Sequence, residues 1–109
     1  MKSGYKVRPQ ADQDIEEQAY YFAIEASPDL GHQFLLSVHE TFQLLATQRE
    51  MGWTARWKTP GLASLRVFRV TGFEKMLILY LPLPDGVEIL RVIHASRNVQ
   101  ALLGREGNR

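Results

Sequence analysis

Hydrophobic residues in the first half of the chain recur at the spacing of a helix. After Pro9, one helical stripe comprises Ile15, Ala19, Phe22, Ala23 and Ala26. A new start follows at Ser27 and Pro28, a serine that can cap a helix and a proline that suits its first position. A second stripe comprises Phe34, Leu35, Val38, Phe42 and Leu45. The spacing predicts two amphipathic helices with a very short connection, and therefore an antiparallel helical hairpin.

The other patterned segments have the length and alternation of strands. Residues 4–8 predict one short strand before the first helix, and residues 65–71, 76–81 and 87–94 predict three more. The links between the last three are too short for a parallel crossover, so they predict an antiparallel meander. The order is β-α-α-β-β-β, a single α+β domain over residues 1–109 with a helical hairpin packed on an antiparallel sheet.

The predicted strands are apolar on both sides. Leu65 and Val67 alternate with Phe68 and Val70, and residues 76–81 alternate between two equally apolar sets. Leaving one such side chain in water forgoes about 1.5–3 kcal/mol. We therefore expect the second side to be covered by the C-terminal segment, by a partner or by another copy, and we favour a second polypeptide. The chain alone should then associate nonspecifically.

Composition restricts the class of protein further. The chain has 109 residues, a net charge of +1 and no cysteine, which excludes disulfides and thiolate chemistry. No apolar run approaches the roughly 20 residues that cross a bilayer, and the N-terminus lacks a signal core, so we expect a cytoplasmic protein without membrane contact. Residues 1–50 carry four Lys or Arg against eight Asp or Glu, and residues 51–109 carry nine against four. The basic half suits an acidic partner.

Two regions hold candidate functional residues. Residues 49–64 lack periodicity and predict a loop that contains Trp53, Arg56, Trp57 and Lys58. Such interleaved aromatic and basic side chains can stack on bases or anchor a partner, and the indoles can equally cover the open end of the core. Residues 98–105 predict a last helical turn.

The end of the last strand is the second region. His94 and Arg97 follow an apolar run. In one interpretation both side chains face a target. In the other, Arg97 stabilises the chain end and His94 bonds to a carbonyl or to a carboxylate of the first helix. Arg91 lies between apolar neighbours on its own strand and is better explained as an ion pair than as a ligand contact. His32 and His39 are seven residues apart, which does not suit a shared metal, so we expect no metal and no cofactor.

The chain resembles the ParE/RelE superfamily of toxins from bacterial type II toxin–antitoxin systems. The shared segments are "YKVRPQADQDIEEQAYYF", "ASPDLGHQF" and, most specifically, "GVEILRVIHASRNVQALL". The last is closer to the ParE branch, in which a strand of the type "ILRVLHGARD" closes the domain. The resemblance covers the whole chain and implies the β-α-α-β-β-β fold of that superfamily.

The two branches imply different activities. A ParE-like toxin binds DNA gyrase and traps its cleaved-DNA intermediate, so the implied activity is binding, with no sequence-specific DNA binding by the toxin alone. The predicted target-binding residues are Trp53, Arg56, Trp57, Lys58, Arg91, His94 and Arg97. The alternative is a RelE-like, metal-independent endoribonuclease that cuts mRNA on the ribosome; its candidate acid, base and cations are Arg66, Arg69, His94 and Arg97. The chain lacks the closing aromatic residue and the lysine-rich RNA side of that branch.

The resemblance also implies a cognate ParD-like antitoxin. Such a partner lays a helix against the hairpin and a strand along a sheet edge. The predicted antitoxin-binding residues are Phe34, Leu35, Val38, Phe42, Phe68, Ile78 and Tyr80. Retention of the fold with loss of toxicity is a third possibility, which expression with and without the antitoxin separates from the other two.

Overall fold

The elements follow the predicted order, with one additional strand. The computed structural model describes residues 4–54 and 62–97. The elements are β1 (Gly4–Val7), α1 (Pro9–Glu25), α2 (Pro28–Thr47), β2 (Trp53–Thr54), β3 (Arg66–Val70), β4 (Phe73–Leu83) and β5 (Gly86–His94). The prediction of a loop over 49–64 is wrong at β2, because a strand of two residues is too short to show a period. The helical turn predicted at 98–105 lies outside the described residues.

The helical hairpin forms as its sequence indicates. Each helix begins with a proline, and the Ser27 hydroxyl accepts the N–H of Leu30 at 3.1 Å, which confirms the predicted cap. Gly31 lies at the contact between the helices. A Cβ at this position would be 2.7 Å from the carbonyl oxygen of Ala19 and 3.1 Å from the Cβ of Ala23. Glycine therefore allows a closer approach of α1 and α2 than any other residue would.

All strands of the described chain belong to one five-stranded sheet in the order β1-β5-β4-β3-β2. Strands β3, β4 and β5 form the predicted antiparallel meander. Strand β1 pairs with β5 in parallel, so the prediction of an antiparallel sheet is wrong at this edge and the sheet is mixed. The two strands are not consecutive, and no hairpin therefore restricts their relative direction. The α+β class is confirmed.

One side of the sheet packs against the hairpin and forms the helix-facing core. Its fully buried side chains include Phe34, Val38, Phe42, Ile78 and Tyr80, each 0% exposed. The prediction that these five residues bind the antitoxin is wrong for the folded chain, because their side chains hold its two layers together and leave no surface for a partner. Leu35 and Phe68, the other two predicted contacts, are half-buried against the same core.

The other side of the sheet carries a second apolar cluster, the outer core. Its buried members are Leu62, Leu65, Val67, Leu79, Leu90 and Ile93. The least buried of them, Leu62, is only 5% exposed. The prediction that a second polypeptide must cover this side is therefore wrong, because the single chain already removes these side chains from water. Part of the cover comes from Leu62 and Leu65, which precede β3 and belong to the cluster.

Candidate functional site

The backbone between α2 and β2 is fixed by a buried tyrosine. The Tyr80 hydroxyl donates to the carbonyl of Arg49 at 2.8 Å and accepts the N–H of Gly52 at 2.9 Å. Burial raises the pKa of Tyr80 above its ordinary value of 10.0, although the Gly52 hydrogen bond and the nearby Arg66 charge act in the opposite direction. Tyr80 is thus a neutral anchor that determines the path of the chain into β2.

Trp53 and Arg69 form an exposed cation–π pair at the edge of the sheet, the Trp–Arg platform. The Arg69 Cζ lies 4.9 Å from the ring centroid of Trp53, which is 41% exposed. Arg66 holds the preceding backbone by donating to the carbonyls of Glu50 at 3.1 Å and Gly52 at 2.6 Å. An indole fixed in this way, with a guanidinium on its face, can stack on a base or anchor a protein partner.

The remaining candidates of this region lie in a part of the chain that the structure does not describe. Arg56, Trp57 and Lys58 fall within residues 55–61. They follow the platform directly in sequence, and their predicted contact with a target stays a prediction. Arg69 was assigned by sequence only to the ribonuclease alternative, since its place beside Trp53 depends on the register of β2 with β3.

Arg91 forms the ion pair that its apolar surroundings indicate. Its Nε and Nη2 donate to the two carboxylate oxygens of Asp14 at 2.8 and 3.0 Å, and the N–H of Val92 donates to the same carboxylate at 3.1 Å. Arg91 is only 8% exposed. The expectation of an ion pair is confirmed, and the assignment of Arg91 to the target-binding surface is wrong because the pair is enclosed between α1 and β5.

His94 lies at the end of β5 and is held by its own turn. Its Nδ1 accepts the N–H of Ser96 at 3.1 Å and lies 2.8 Å from the Ser96 hydroxyl, which donates to it. Among the described residues His94 makes neither of the predicted bonds, to a carbonyl or to a carboxylate of α1. Arg97 is exposed beside this turn, with its N–H bonded to the His94 carbonyl at 3.0 Å. Both side chains remain candidates for target contact.

The four residues proposed for a ribonuclease do not converge. His94 pairs with Met76 and Arg66 with Tyr80, so these two lie on the helix-facing side, separated by about 13 Å along the sheet and about 10 Å across it. Arg69 pairs with Leu77 next to the outer core and points to the opposite side. Exposed Arg97 lies at the end where β5 closes, beside His94. The fold therefore offers no single point at which all four groups reach one phosphate.

The helical hairpin exposes five large apolar side chains that the two predicted stripes do not include. Tyr20, Tyr21 and Ile24 lie within five residues of α1 and are called the helix face; Leu36 and Leu44 lie on α2. Tyr20 is 70% and Ile24 is 62% exposed, high values for large apolar side chains. The signal was present in residues 19–24, "AYYFAI", because six consecutive apolar residues exceed what one helical stripe can bury.

Residues 4–54 and 62–97 hold neither a metal cluster nor a helix that could span a membrane. No cluster of three or more His, Asp or Glu side chains has the geometry of a metal site there. His39 lies near Tyr5, whose hydroxyl is 3.3 Å from its Nδ1, and is not close to a group of acidic ligands. None of the described helices combines the length and the apolar character that a membrane span requires.

This chain shares its fold with a protein of known structure. It is similar in structure to a chain of the chromosomal ParDE toxin–antitoxin system from P. aeruginosa, with a TM-score of 0.64 at 14% identity, over 84% of this chain and 94% of that one. Identity at this level shows the shared fold alone. A comparison with curated proteins gave no match.

Sequence comparison gives the family. Residues 5–99 match the family described as the ParE toxin of the type II toxin–antitoxin system parDE. The chain therefore belongs to the ParE toxin family, which confirms the resemblance inferred from its terminal motif.

Proposed function

We propose that this toxin acts by binding DNA gyrase and that a cognate ParD-type antitoxin neutralises it. Membership of the parDE toxin family supports the pair of partners. The observation that favours binding over bond cleavage is the separation of Arg66, Arg69 and His94 across two sides of the sheet. No contact among the described residues favours the ribonuclease alternative. Both partners are cytoplasmic in this proposal, and the toxin acts there.

The Trp–Arg platform is the proposed gyrase contact. Exposed tryptophan and arginine residues are the side chains that most often dominate a binding interface. Trp53 presents its ring from a backbone that Tyr80 and Arg66 immobilise, so little conformational entropy is lost on binding. His94 and Arg97 form a second candidate contact at the far end of β5.

Inhibition of purified gyrase tests this contact in the absence of ribosomes. We expect Trp53→Ala to weaken inhibition of supercoiling about 30-fold, the effect of losing about 2 kcal/mol at a central contact. Tyr20→Ala is the matched control, because Tyr20 is also an exposed aromatic residue but lies on α1. Equal inhibition by both variants and by the unmodified toxin, with folding verified by circular dichroism, would exclude the platform.

The planar geometry of the platform gives a second test. Arg69→Lys keeps the charge but loses the flat guanidinium that stacks on Trp53. We expect this variant to inhibit gyrase several-fold less than the unmodified toxin. Full activity of Arg69→Lys together with loss of activity in Arg69→Gln would assign Arg69 a role through charge only.

The helix face is the proposed docking surface for the antitoxin. This surface takes the place of the buried residues that the sequence indicated as antitoxin contacts. It presents exposed Tyr20, Tyr21 and Ile24 to an amphipathic partner helix. We expect Ile24→Lys to abolish stable antitoxin binding while gyrase inhibition persists. Gln43→Lys, an equal change at an exposed position of α2, is the control. An antitoxin that binds Ile24→Lys with unchanged affinity would exclude this surface.

A further inference from the structure

A groove of about 520 Å³ lies between the C-terminal half of α1 and the ends of β4 and β5. Its apolar lining is Tyr21, Phe22, Phe73 and Met76. Met76 is buried and Phe22 and Phe73 are half-buried, so the groove already excludes water from its floor. A cavity of this size and lining accommodates one large apolar side chain.

Aromatic packing makes the floor rigid. The ring centroids of Phe22 and Phe73 are 5.4 Å apart, and each of these rings lies 5.2 Å from Phe34, which is fully buried in the helix-facing core. A guest side chain would therefore enter a surface that is formed in advance, and little entropy would be lost in ordering it.

The rim of the groove carries a histidine whose proton position follows from its contacts. The amide of Ser96 can only donate, so the Nδ1 of His94 is an acceptor and the proton of the neutral ring is on Nε2. Among the described residues no acceptor is bonded to this Nε2–H. His94 lines the groove and supplies a hydrogen-bond donor of fixed orientation there.

The lining of the groove carries one cation and one carboxylate. Lys75 and Glu74 both line the groove, and the Lys75 carbonyl accepts the N–H of Ala95 at 2.7 Å, which holds the start of β4 beside the turn after β5. Exposed Arg97 follows in the same turn. Arg97 is the residue after Ser96, which lines the groove. This cation and the His94 N–H add to the balanced Lys75 and Glu74 charges, and the resulting surplus favours an anionic group on the guest.

We propose that the groove binds a large apolar side chain of the antitoxin together with an adjacent carboxylate of the same segment. The apolar side chain lies on Phe73 and Met76, and the carboxylate accepts from the His94 Nε2–H near Lys75. This inference rests on the proposed antitoxin partner. The helix face leads directly into the groove because Tyr21 belongs to both. A nucleic-acid backbone fits less well, since its phosphates would leave the apolar floor unused.

The test uses two small probes of equal shape. The ¹⁵N-labelled full chain is titrated at pH 7.5 with 3-phenylpropionate and with its neutral isostere, 3-phenylpropanamide. We expect amide shifts at Phe73, Lys75 and His94, with the carboxylate binding about three-fold more tightly than the amide, as suits a charge pair open to solvent. Lys75→Glu should remove this preference, and Lys6→Glu, at the far edge of the sheet, should preserve it.

His94→Phe separates the contribution of the histidine N–H donor to binding from that of the apolar floor. It keeps the ring and removes the donor, so we expect weaker binding of 3-phenylpropionate and unchanged binding of the amide. Equal affinity for both probes in the unmodified chain, or shifts at other residues, would overturn the inference. So would inorganic phosphate that shifts the same residues as strongly, because the site would then accept a simple anion.

The occupant is tested in the complex. With the cognate antitoxin bound, 3-phenylpropionate should no longer shift Phe73 or His94. Shifts that persist in a stable complex would show that the antitoxin leaves the groove empty, and would overturn the inference. Gyrase inhibition by the free toxin is measured in parallel, and it separates the two proposals: it persists if only the groove assignment fails, and it is absent if the proposed target is wrong.

Discussion

Single residues join distant parts of this chain. Arg91 lies in the middle of an apolar strand, and its carboxylate partner Asp14 precedes it by 77 positions. The need for a partner could be predicted from the sequence, because a buried guanidinium is costly alone. The identity of the partner could not, since Asp14 is one of several acidic residues in α1 and only its position opposite β5 selects it.

Removing Asp14 should destabilise the fold strongly. Both side chains of the pair are about 10% exposed, so Asp14→Ala leaves a buried charge without its carboxylate and also removes the acceptor for the Val92 N–H. We expect a loss of about 3 kcal/mol in the free energy of unfolding, measured by urea denaturation. Glu16→Gln, which removes an exposed carboxylate from the same helix, serves as control. Equal effects of the two substitutions on the free energy of unfolding would contradict a stabilising role of the Asp14–Arg91 pair.

Tyr80 gives the fold a dependence on high pH. Its folded pKa is raised above 10.0, so the unfolded chain releases this proton more readily and stability falls as pH rises past about 10. Tyr80→Phe has no hydroxyl to ionise and lacks this pH-dependent loss of stability. We expect the variant to lose about 1–2 kcal/mol at pH 7, because the Gly52 N–H and the Arg49 carbonyl lose their partner. The free energy of unfolding of the variant should then decline less steeply between pH 9 and 11 than that of the unmodified chain. An equal decline in both proteins would contradict the effect of the buried Tyr80 hydroxyl.

At the scale of elements, the helices were easier to predict than the edges of the sheet. The caps at Ser27 and Pro28 and the two apolar stripes define α1 and α2 locally. The edges depend on distant partners instead. Strand β1 pairs with the last strand of the chain, and the two residues of β2 form a strand only because β3 lies beside them. Neither pairing leaves a local pattern.

The contact between the two helices depends on Gly31. Alanine at an interior helical position normally gains about 1 kcal/mol over glycine. At Gly31 its Cβ would lie 2.7 Å from the backbone oxygen of Ala19, and α1 would have to shift. We expect Gly31→Ala to lower the melting temperature, with a net loss of about 1–3 kcal/mol. Gly4→Ala, where no atom lies within 4 Å, should change stability by less than about 0.5 kcal/mol; a stabilising Gly31→Ala would exclude the close packing.

At the scale of the whole molecule, the described chain buries apolar side chains on both sides of its sheet and exposes others on its helices. The strand pattern indicated correctly that both sides are apolar. It did not show what covers them, because Leu62 and Leu65 belong to the outer core only after the chain before β3 has folded back. The helix face is the apolar surface that the described helices leave exposed, and the strand pattern does not predict it.

Hydrogen exchange of the free toxin tests this arrangement. We expect the amides of Leu79 and Leu90, at the centre of the sheet, to be protected without antitoxin and to change little when it binds. Protection should rise instead around Tyr20 and Ile24. Rapid exchange of Leu79 and Leu90 in the free chain, slowed only by the antitoxin, would show that a second polypeptide completes the sheet after all.

The proposed activity is tested most directly by the DNA that gyrase cleaves. Purified toxin and gyrase are incubated with plasmid DNA without ribosomes, and covalent gyrase–DNA complexes are counted; ribosome-bound mRNA is assayed beside them. We expect the complexes to increase with toxin and to disappear when the cognate antitoxin is added, while the mRNA stays intact. Unimpeded gyrase together with cleaved mRNA would contradict a toxin that acts by binding.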